Sequence, residues 1–573
     1  MYIDTVPNRN SPPAILLREG IREGKKVRKR TLANISHWPP EQIESLRRVL
    51  RGETLVSLDE EFQIERTRPH GHVAAVLGTL RKIGLDQILF SRRTRERDLA
   101  VAMIVARIIE PGSKLATARG LGEESLFSTL GELLAVESSD ENELYKAMDW
   151  LIERQERIEK KLVKRHLAED TLVLYDVTST YFEGRCCPLA KLGHSRDGKK
   201  DRPQIEFGLL SNGEGCPVAV EVFEGNAADP TTFTEQVKKM RERFGIKRIV
   251  YVGDRGMITE ARIREDLRPS VGLDWITALR APAIRKLVDT GSLQLSLFDE
   301  KDMGEISDPD YPDERLIVCR NPYLAAERTR KRQELLEATE KELEKIVRAT
   351  GREKRRLKGK ENIALRVGKV FNHYKMQKHF IITITDDSFS YERDEQSIRS
   401  EAALDGIYVI RTSVGADRLD AEGTVRAYKS LSTIERAFRS MKTVDLKTRP
   451  IHHRKEDRVR SHIFLCMLAY YVEWHMRKAL APMLFDDEDK ETAEALRESI
   501  VARARRSSRA EEKATTKRTD TGDPVHSFQT LLKDLQTIAK NRVAFHKTRF
   551  EKTTTPTVLQ QRAFDLLGVS YRV

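Results

Sequence analysis

The first candidate for chemistry is an acid inside an apolar run. Asp176 lies in TLVLYDVTSTYFEG, residues 171–184, and no Lys or Arg stands beside it in the sequence. The apolar and β-branched residues around it are typical of a central strand. Burying an unpaired carboxylate is costly, so such a charge needs a partner, and a metal ion is one. Asp176 is therefore a candidate metal ligand.

A second acid occupies a similar place further along. Asp254 follows the apolar run of RIVYVGDRG, so both acids come late in predicted strands. Acids at such strand ends can meet at one edge of a sheet, where ligands bind. Taken singly, each acid is more commonly a surface or capping residue. Two such acids suggest a shared site without deciding it, and a third acid on a helix would make that interpretation the better one.

A polar stripe supplies the third acid. In AYKSLSTIERAFRSMKT, Tyr428, Glu435 and Lys442 recur every seven residues, which on an α-helix returns to within about 20° of the same face. A coiled-coil seam with this spacing would be apolar, so the stripe is not one. The neighbouring face carries apolar residues that would anchor the helix to a sheet: Leu431, Ile434 and Phe438.

The elements that position these acids are predicted from hydrophobic periodicity. Strand patterns dominate between 171 and 280 and are interrupted by two helices, which predicts a mixed α/β sheet with an antiparallel opening and a parallel remainder. The predicted regions are a basic N-terminal arm with a hairpin around Gly24 (1–60), a helical and DNA-binding region (61–168), a catalytic core (169–280 and 404–445), an insertion subdomain (281–403) and a helical C-terminal region (446–573).

Several local expectations complete this outline. A long charged helix is predicted over 324–360, a hairpin turning at Asp387, and a disordered linker over 505–524. A helix-turn-helix is possible within 92–121, although packing in a helical bundle explains that pattern equally well.

Composition narrows the function classes. The chain has 573 residues, with 102 Lys and Arg against 89 Asp and Glu, and a formal net charge of +13. That balance favours a polyanionic partner such as nucleic acid. The five cysteines show no CxxC spacing, which argues against a structural zinc site. The start lacks the pattern of a secretory signal, and the longest apolar runs are too short to span a bilayer, so a cytoplasmic location is expected.

The chain resembles the DDE transposases of bacterial insertion sequences. The resemblance rests on YDVTSTYFEG, VGDRGMIT and YKSLSTIERAFRSMKTVDLKTRPIHHR, and it extends from about Ala33 to Arg477. Within that family it is similar to the branch that has a Tyr-Arg-Glu-Lys signature on the last catalytic helix and a long insertion before it. The resemblance implies an α/β fold with a ribonuclease H-like mixed-sheet core, interrupted by the insertion and flanked by helical regions.

The resemblance also implies roles for individual residues. Asp176, Asp254 and Glu435 would be the catalytic triad and the metal ligands. Two Mg²⁺ ions are the implied cofactors, with Mn²⁺ as a substitute. The implied DNA-contacting residues are Tyr428, Lys442, Arg439 and Arg255. One position departs from the signature, because Leu431 stands where the family has Arg; Arg436, Arg439 and Arg255 are the available replacements.

The implied function is cut-and-paste DNA transposition by metal-dependent phosphodiester hydrolysis and strand transfer. Its partners would be double-stranded DNA, as terminal inverted repeats and as target, and a second copy of the chain on DNA. Neither a membrane nor a small-molecule cofactor is expected, and the cytoplasmic protein would associate with the nucleoid. Two alternatives stay open: a ribonuclease H-like nuclease that cuts without joining, and a catalytically inactive DNA-binding derivative.

Overall fold

The chain divides into two compact units. One comprises Met1–Arg68 and Ala539–Thr555, and the other Pro69–Ile538 and Pro556–Val573. The computed structural model describes every residue except 10, 54–61, 125–126, 228, 247, 300, 490–491, 494–496, 498, 502–505, 546–547 and 573.

The first unit contains two small three-stranded sheets. The predicted hairpin around Gly24 is confirmed, and Gly24 has the positive φ (+62°) that a tight turn requires. The C-terminal region, predicted to be helical, contributes a hairpin to the second sheet. The elements are β1 (Tyr2–Val6), β2 (Ala14–Glu23), β3 (Lys26–Asn34), α1 (Pro40–Leu50), β4 (Phe62–Pro69), β15 (Ala539–Phe545) and β16 (Thr548–Thr553).

The second unit begins with the helices that the sequence predicts. Side chains of Thr94, Ser113 and Asp140 accept hydrogen bonds from backbone N–H groups in the first turns of three of them, which fixes where those helices begin. The buried residues of this block share one core with the sheet. The helices are α2 (Gly71–Lys82), α3 (Leu85–Leu89), α4 (Arg95–Ile109), α5 (Lys114–Leu121), α6 (Leu130–Leu134), α7 (Glu141–Ile152) and α8 (Gln155–His166).

An eight-stranded mixed sheet forms the centre of this unit. Its order is β10-β11-β14-β9-β8-β5-β6-β7. β5, β6 and β7 are antiparallel, whereas β5, β8 and β9 are parallel, as predicted for the ribonuclease H-like core. The strands are β5 (Thr171–Tyr181), β6 (Gln204–Asn212), β7 (Pro217–Glu224), β8 (Ile249–Val252), β9 (Leu273–Ala278), β10 (Met303–Ile306), β11 (Arg315–Arg320) and β14 (Ile407–Thr412).

Five helical segments accompany the parallel strands and the last strand. Three of them end in, or continue as, a π-helical turn: Lys239–Arg243, Ile263–Leu267 and Ser440–Val444. The helices are α9 (Asp229–Lys238), α10 (Glu260–Arg262), α11 (Ala281–Asp289), α15 (Ala421–Lys429) and α16 (Leu431–Arg439).

The insertion differs from its prediction in two ways. β10 and β11 lie inside 281–403 yet extend the core sheet, because β11 pairs with β14. The long helix ends at Thr350 and not at Lys360, so the basic stretch that follows Thr350 is not part of it. The hairpin at Asp387 is confirmed. A separate apolar cluster packs the remaining elements: α12 (Pro322–Thr350), α13 (Lys360–Tyr374), β12 (Phe380–Ile384), β13 (Phe389–Arg393) and α14 (Glu395–Ala402).

The C-terminal helices correct the prediction of a disordered linker. Residues 508–516 are helical, because Ser507 caps this helix and the Lys513 ammonium donates to the carbonyl oxygens of Ala481 and Asp486, each at 2.9 Å. Of the predicted linker, residue 505 lies outside the described part. The helices are α17 (Glu456–Leu480), α18 (Ser508–Thr516), α19 (Phe528–Gln536) and α20 (Val558–Leu567).

Among the helices that the structure describes, none combines the length and the apolar character that crossing a membrane would need.

Candidate active site

Strand register brings the first two acids together. The last parallel pair between β5 and β8 is Leu174 with Val252, and two residues further on each chain come Asp176 and Asp254. The strands stay adjacent past that pair, because a Cβ on Gly253 would lie 3.7 Å from the Tyr175 carbonyl oxygen. Neighbouring strands are about 4.8 Å apart. The sheet therefore holds both acids at the same edge.

Asp176 is partly buried within β5. Its cross-strand neighbour on β6 is Leu209, and the residues on either side of it along the strand, Tyr175 and Val177, are fully buried. The Oδ1 atom of Asp176 accepts a hydrogen bond from the Val177 backbone N–H at 2.8 Å. The sequence prediction of an acid within a central strand is confirmed.

Asp254 is exposed and is oriented by the turn after β8. Its Oδ1 accepts hydrogen bonds from the backbone N–H groups of Gly256, at 3.0 Å, and Met257, at 2.8 Å. A Cβ on Gly256 would lie 3.3 Å from this same oxygen, so a larger residue there would crowd the carboxylate. The backbone thus positions the acid, and its second oxygen remains open to a ligand.

The segment that carries Tyr428, Glu435 and Lys442 is not the single helix that the sequence predicts. It breaks at Ser430 between α15 and α16, and Lys442 lies in the π-helical turn that follows. Ser430 ends α15 through backbone bonds to Arg426 and Ala427. The seven-residue stripe is therefore divided among three helical pieces. Local π-helical turns of this kind often occur at functional sites.

Packing of α16 fixes the direction of Glu435. Ile434 is fully buried, and the Phe438 ring meets Phe207 of β6 edge to face, with centroids 5.6 Å apart. The helix packs against β5, the strand of Asp176. Glu435 is exposed, and it is about 60° around the helix axis from Phe438, so it adjoins the packed face of α16. The predicted anchoring face is confirmed for Ile434 and Phe438, and Leu431 packs at its margin.

Electrostatics links Tyr428 to two of the acids. Burial is the main cause that raises the pKa of Tyr428 to about 12, and the carboxylates of Asp254 and Glu435 raise it further. Arg255 acts in the opposite direction. Both carboxylates therefore lie within electrostatic range of the Tyr428 hydroxyl. α15 and α16 thus bring Glu435 towards the strand edge of Asp254.

Lys442 is held by partners that the sequence did not reveal. Its ammonium donates to Thr178 Oγ1 at 3.0 Å and to the Ser179 carbonyl at 2.9 Å, and it pairs with Asp197 Oδ1 at 2.6 Å. Thr178 is two residues beyond Asp176, so both face the same side of the sheet. Burial lowers the pKa of Lys442, although Asp197 opposes that shift. Asp197 also contacts the Arg449 guanidinium.

The remaining predicted DNA contacts are exposed arginines. Arg255 and Arg439 have no carboxylate partner within ion-pair distance in the described part of the chain. Arg255 lies beside Tyr428, as its effect on that hydroxyl shows. Arg436, the third replacement considered for the missing signature Arg, lies 3.9 Å from Asp486. Arg255 and Arg439 are thus the cations left available near the acids.

The three acids are neighbours but do not form a tight cluster. Over the described residues, they do not constitute a group whose ligand oxygens all lie within 4.8 Å of one another. Three carboxylates repel when no cation lies between them. A pair of ions about 3.5 to 4 Å apart spreads its ligands over two coordination spheres. Oxygen donors from Asp and Glu are the ligands that Mg²⁺ prefers, so the donor set fits.

Two histidines and a cysteine form a closer cluster of possible metal ligands elsewhere in this unit. His166, Cys216 and His475 place their ligand atoms within 4.8 Å of one another, on α8, the turn before β7, and α17. Nε2 of His166 is hydrogen-bonded with the Tyr471 hydroxyl at 2.8 Å, and burial lowers the pKa of His475 to about 4. These residues have no metal-ligand spacing in the sequence, so no local signal pointed to them.

Comparison with solved structures gives a remote likeness. The structure described as a piggyBac transposase synaptic complex with hairpin DNA matches with a TM-score of 0.33 and 10% identity, over 81% of this chain and 76% of that chain. A likeness of that size carries no argument about function. No curated protein matches the chain.

Family comparison is decisive. A model for the N-terminal domain of IS1634 family transposases matches residues 3–60. A model described as the transposase DDE domain matches residues 168–472, which is more than half of the chain and includes all three candidate acids. The chain therefore belongs to the DDE transposases of insertion sequences.

Proposed function

We propose that this transposase cuts DNA at the ends of an insertion sequence and joins those ends to a target, with Asp176, Asp254 and Glu435 as its catalytic acids. The observation that carries the proposal is the parallel register, which puts Asp176 and Asp254 side by side at one strand edge. Glu435 supports it from α16, which packs against the strand of Asp176.

The three acids would hold two Mg²⁺ ions, with Mn²⁺ as a substitute. When bound, the ions stabilise negative charge on the attacking, leaving and non-bridging oxygens of a phosphodiester. Asp176, on the strand that adjoins β8 and packs against α16, would contribute to holding both ions. Asp254 and Glu435 would each hold mainly one ion. The backbone bonds that fix Asp254 Oδ1 leave its Oδ2 for this role.

The surrounding residues would position DNA. Lys442 lies on the face of Asp176 and would contact a phosphate next to the scissile bond after exchanging Asp197 for DNA. Tyr428, whose hydroxyl is influenced by the charges of Asp254 and Glu435, would contact the terminal nucleotide. Arg255 and Arg439, exposed and without carboxylate partners in the described chain, would bind flanking phosphates.

Recognition and assembly complete the proposal. The helical region 61–168 would read the terminal inverted repeats, because the catalytic acids contact no bases. The basic hairpin in 1–60 would add phosphate contacts that do not depend on sequence. The active form would be a homodimer on DNA, located in the cytoplasm with the nucleoid.

The decisive test replaces one acid without changing its shape. Asp176→Asn should abolish Mg²⁺-dependent cleavage of a labelled fragment that carries the terminal inverted repeat, because the amide cannot replace a bridging carboxylate. Asp289→Asn, at the exposed end of α11, is the matched control and should cut like the wild type. Equal cutting by wild type and Asp176→Asn would remove Asp176 from the mechanism. A target plasmid in the same reaction separates joining from cutting, since a simple nuclease gives no joined product.

A further inference from the structure

A cavity with a strongly cationic lining lies beside the candidate active site. It has a volume of about 710 Å³ and is formed by the connection from α4 to α5, by α7, and by residues 447–455 with the start of α17. Seven Lys and Arg residues and three His residues line it, and no Asp or Glu does. We call it the cationic cavity.

Two of these cations are buried. Lys114 is only 5% exposed and Arg107 only 7%. Within the described residues, the Lys114 ammonium has neither a carboxylate partner nor a hydrogen-bond acceptor, and Arg107 donates to the Gly112 carbonyl at 3.2 Å. Burial, with Arg107 nearby, lowers the pKa of Lys114 to about 7. A lysine in this setting lacks the anion that would stabilise its charge.

Two arginines of the cavity lining have acidic partners of their own. Arg458 pairs with Asp149 at 3.2 Å, and Arg449 contacts Asp197. Neither acid is a partner of Lys114. An anionic ligand from outside the chain would therefore neutralise the excess positive charge inside the cavity.

A histidine and a helix N-terminus lie beside the two buried cations. Burial lowers the pKa of His453 to about 3, and both Lys114 and Arg107 contribute to that shift, so the three side chains are close together. Helix α5 begins at Lys114, and its N-terminus, where the helix dipole is positive, borders the cavity through Gly112 and Ser113. Ammonium, guanidinium and helix N-terminus together match the several acceptor oxygens of a phosphate.

The cavity is connected to the candidate active site through one acid. Asp197 Oδ1 contacts Arg449, which lines the cavity, and also Lys442, which lies on the face of Asp176. Lys442 and a residue of the cavity lining therefore share one carboxylate, so DNA bound at Lys442 would lie close to the cavity. The mouth carries the exposed residues Arg454 and Lys455.

We propose that the cationic cavity is a phosphate-binding site centred on Lys114 and Arg107, separate from the three carboxylates, and that its ligand is a backbone phosphate of the DNA. The choice of DNA as the source of this phosphate rests on the proposed function. The phosphate-binding property itself does not.

The first test uses inorganic phosphate and Lys114→Met, which keeps the length of the side chain and removes its charge. At constant ionic strength, phosphate in place of chloride should raise the Tm of the wild type. Lys114→Met should have a higher Tm than the wild type without phosphate, since a buried unpaired charge is gone, and should lose the response to phosphate. Lys146→Met, exposed on α7, should keep the response. An unchanged response in Lys114→Met would overturn the site.

A second variant tests the site independently, in case Lys114→Met does not fold. Arg454→Gln with Lys455→Gln changes only exposed residues at the mouth, and it should weaken the response to phosphate. A full response in this double variant, together with a misfolded Lys114→Met, would also overturn the proposal. Cleavage is not needed for this measurement, so failure of the Asp176 test would leave its result interpretable.

The second test identifies the source of the phosphate. Binding of the terminal-repeat duplex is measured against salt concentration for the wild type and for Lys114→Met. Loss of one phosphate contact should reduce the slope of log K against log[salt] by about 0.9. An unchanged slope in a variant that has lost its response to inorganic phosphate would show that the ligand is a free phosphate compound and would overturn DNA as the source.

Discussion

At the scale of residues, Asp197 pairs with two basic side chains, Lys442 and Arg449, near the candidate catalytic acids. Its side chain is 4% exposed and contacts both Lys442 and Arg449, while its Oδ2 has no partner in the described part of the chain. A carboxylate that bridges two cations occupies the place that a phosphate would take in a complex. We therefore expect Asp197 to compete with DNA for these side chains.

Replacing Asp197 by Asn should release both cations. Affinity for the terminal-repeat duplex should rise, and its salt dependence should steepen by up to two phosphate contacts, each about 0.9 in slope. The Tm should fall, because Lys442 and Arg449 lose their buried partner. Fluorescence anisotropy over a range of salt concentrations measures the first effect.

The matched control is Asp201→Asn in the same loop. Asp201 is 79% exposed and lies 3.7 Å from Arg202, so its replacement makes the same change in net charge with little effect on structure. Equal gains in affinity for both variants would show that net charge, and not release of Lys442 and Arg449, is responsible.

At the scale of elements, β5 and β6 fit closely behind Asp176. A Cβ on Gly208 of β6 would come within 2.2 Å of the Tyr175 hydroxyl oxygen, and Tyr175 is fully buried next to Asp176 in the chain. The lack of a side chain at Gly208 therefore leaves the space that the Tyr175 ring fills. Its position in a central strand is unusual, because glycine usually weakens a strand.

Gly208→Ala should therefore destabilise the protein by about 1 to 3 kcal/mol, through overpacking against Tyr175. It should also reduce cleavage, because a displaced Tyr175 moves the adjoining backbone of Asp176. Chemical denaturation and the cleavage assay measure the two effects. Gly368→Ala in α13 is the control: nothing lies within 4 Å of its new methyl group, and alanine should stabilise the helix by about 1 kcal/mol. Similar stability changes at both positions would contradict this account.

The elements also show what the sequence can predict. β5 and β8 were predictable, because apolar and β-branched runs end in turn residues, and so was the shared edge of Asp176 and Asp254. The break at Ser430 was not, since the residues on both sides favour helix and only packing on different strands separates α15 from α16. Asp197 lies in a polar stretch typical of a solvated loop, so its contact with Lys442 depends on tertiary structure.

At the scale of the whole molecule, several histidines are buried in the neutral form. Burial lowers the pKa of His72 and of His475 to about 4 and that of His453 to about 3, and it lowers the pKa of His462 well below its usual value. In the unfolded chain these rings titrate near 6.5. At pH values between the pKa of the folded state and 6.5, the unfolded chain therefore binds more protons than the folded one.

Stability should therefore be lost as the pH falls from about 7 to about 4. Each of these histidines contributes to the free energy of unfolding. That contribution is fully present above pH 6.5 and is lost below it, by up to about 1.4 kcal/mol per pH unit in this window. Urea denaturation at pH 7.5, 6 and 5 measures the slope. His72→Asn should make the slope shallower by one proton, whereas His37→Asn, on the exposed surface of the N-terminal unit, should not change it. Equal slopes for all three proteins would contradict the assignment.

The pairing of β4 with the C-terminal hairpin has a consequence for synthesis. The Thr67 hydroxyl donates to Asn541 Oδ1 across a separation of 474 residues, and in the described part of the chain this sheet consists of β4, β15 and β16. On a ribosome, β4 emerges early and must wait until nearly the whole polypeptide has been translated before its neighbours exist. Contacts so distant along the chain form slowly, because a long loop must close first. Premature termination anywhere before residue 539 would thus leave the N-terminal unit without this sheet, however well the rest had folded.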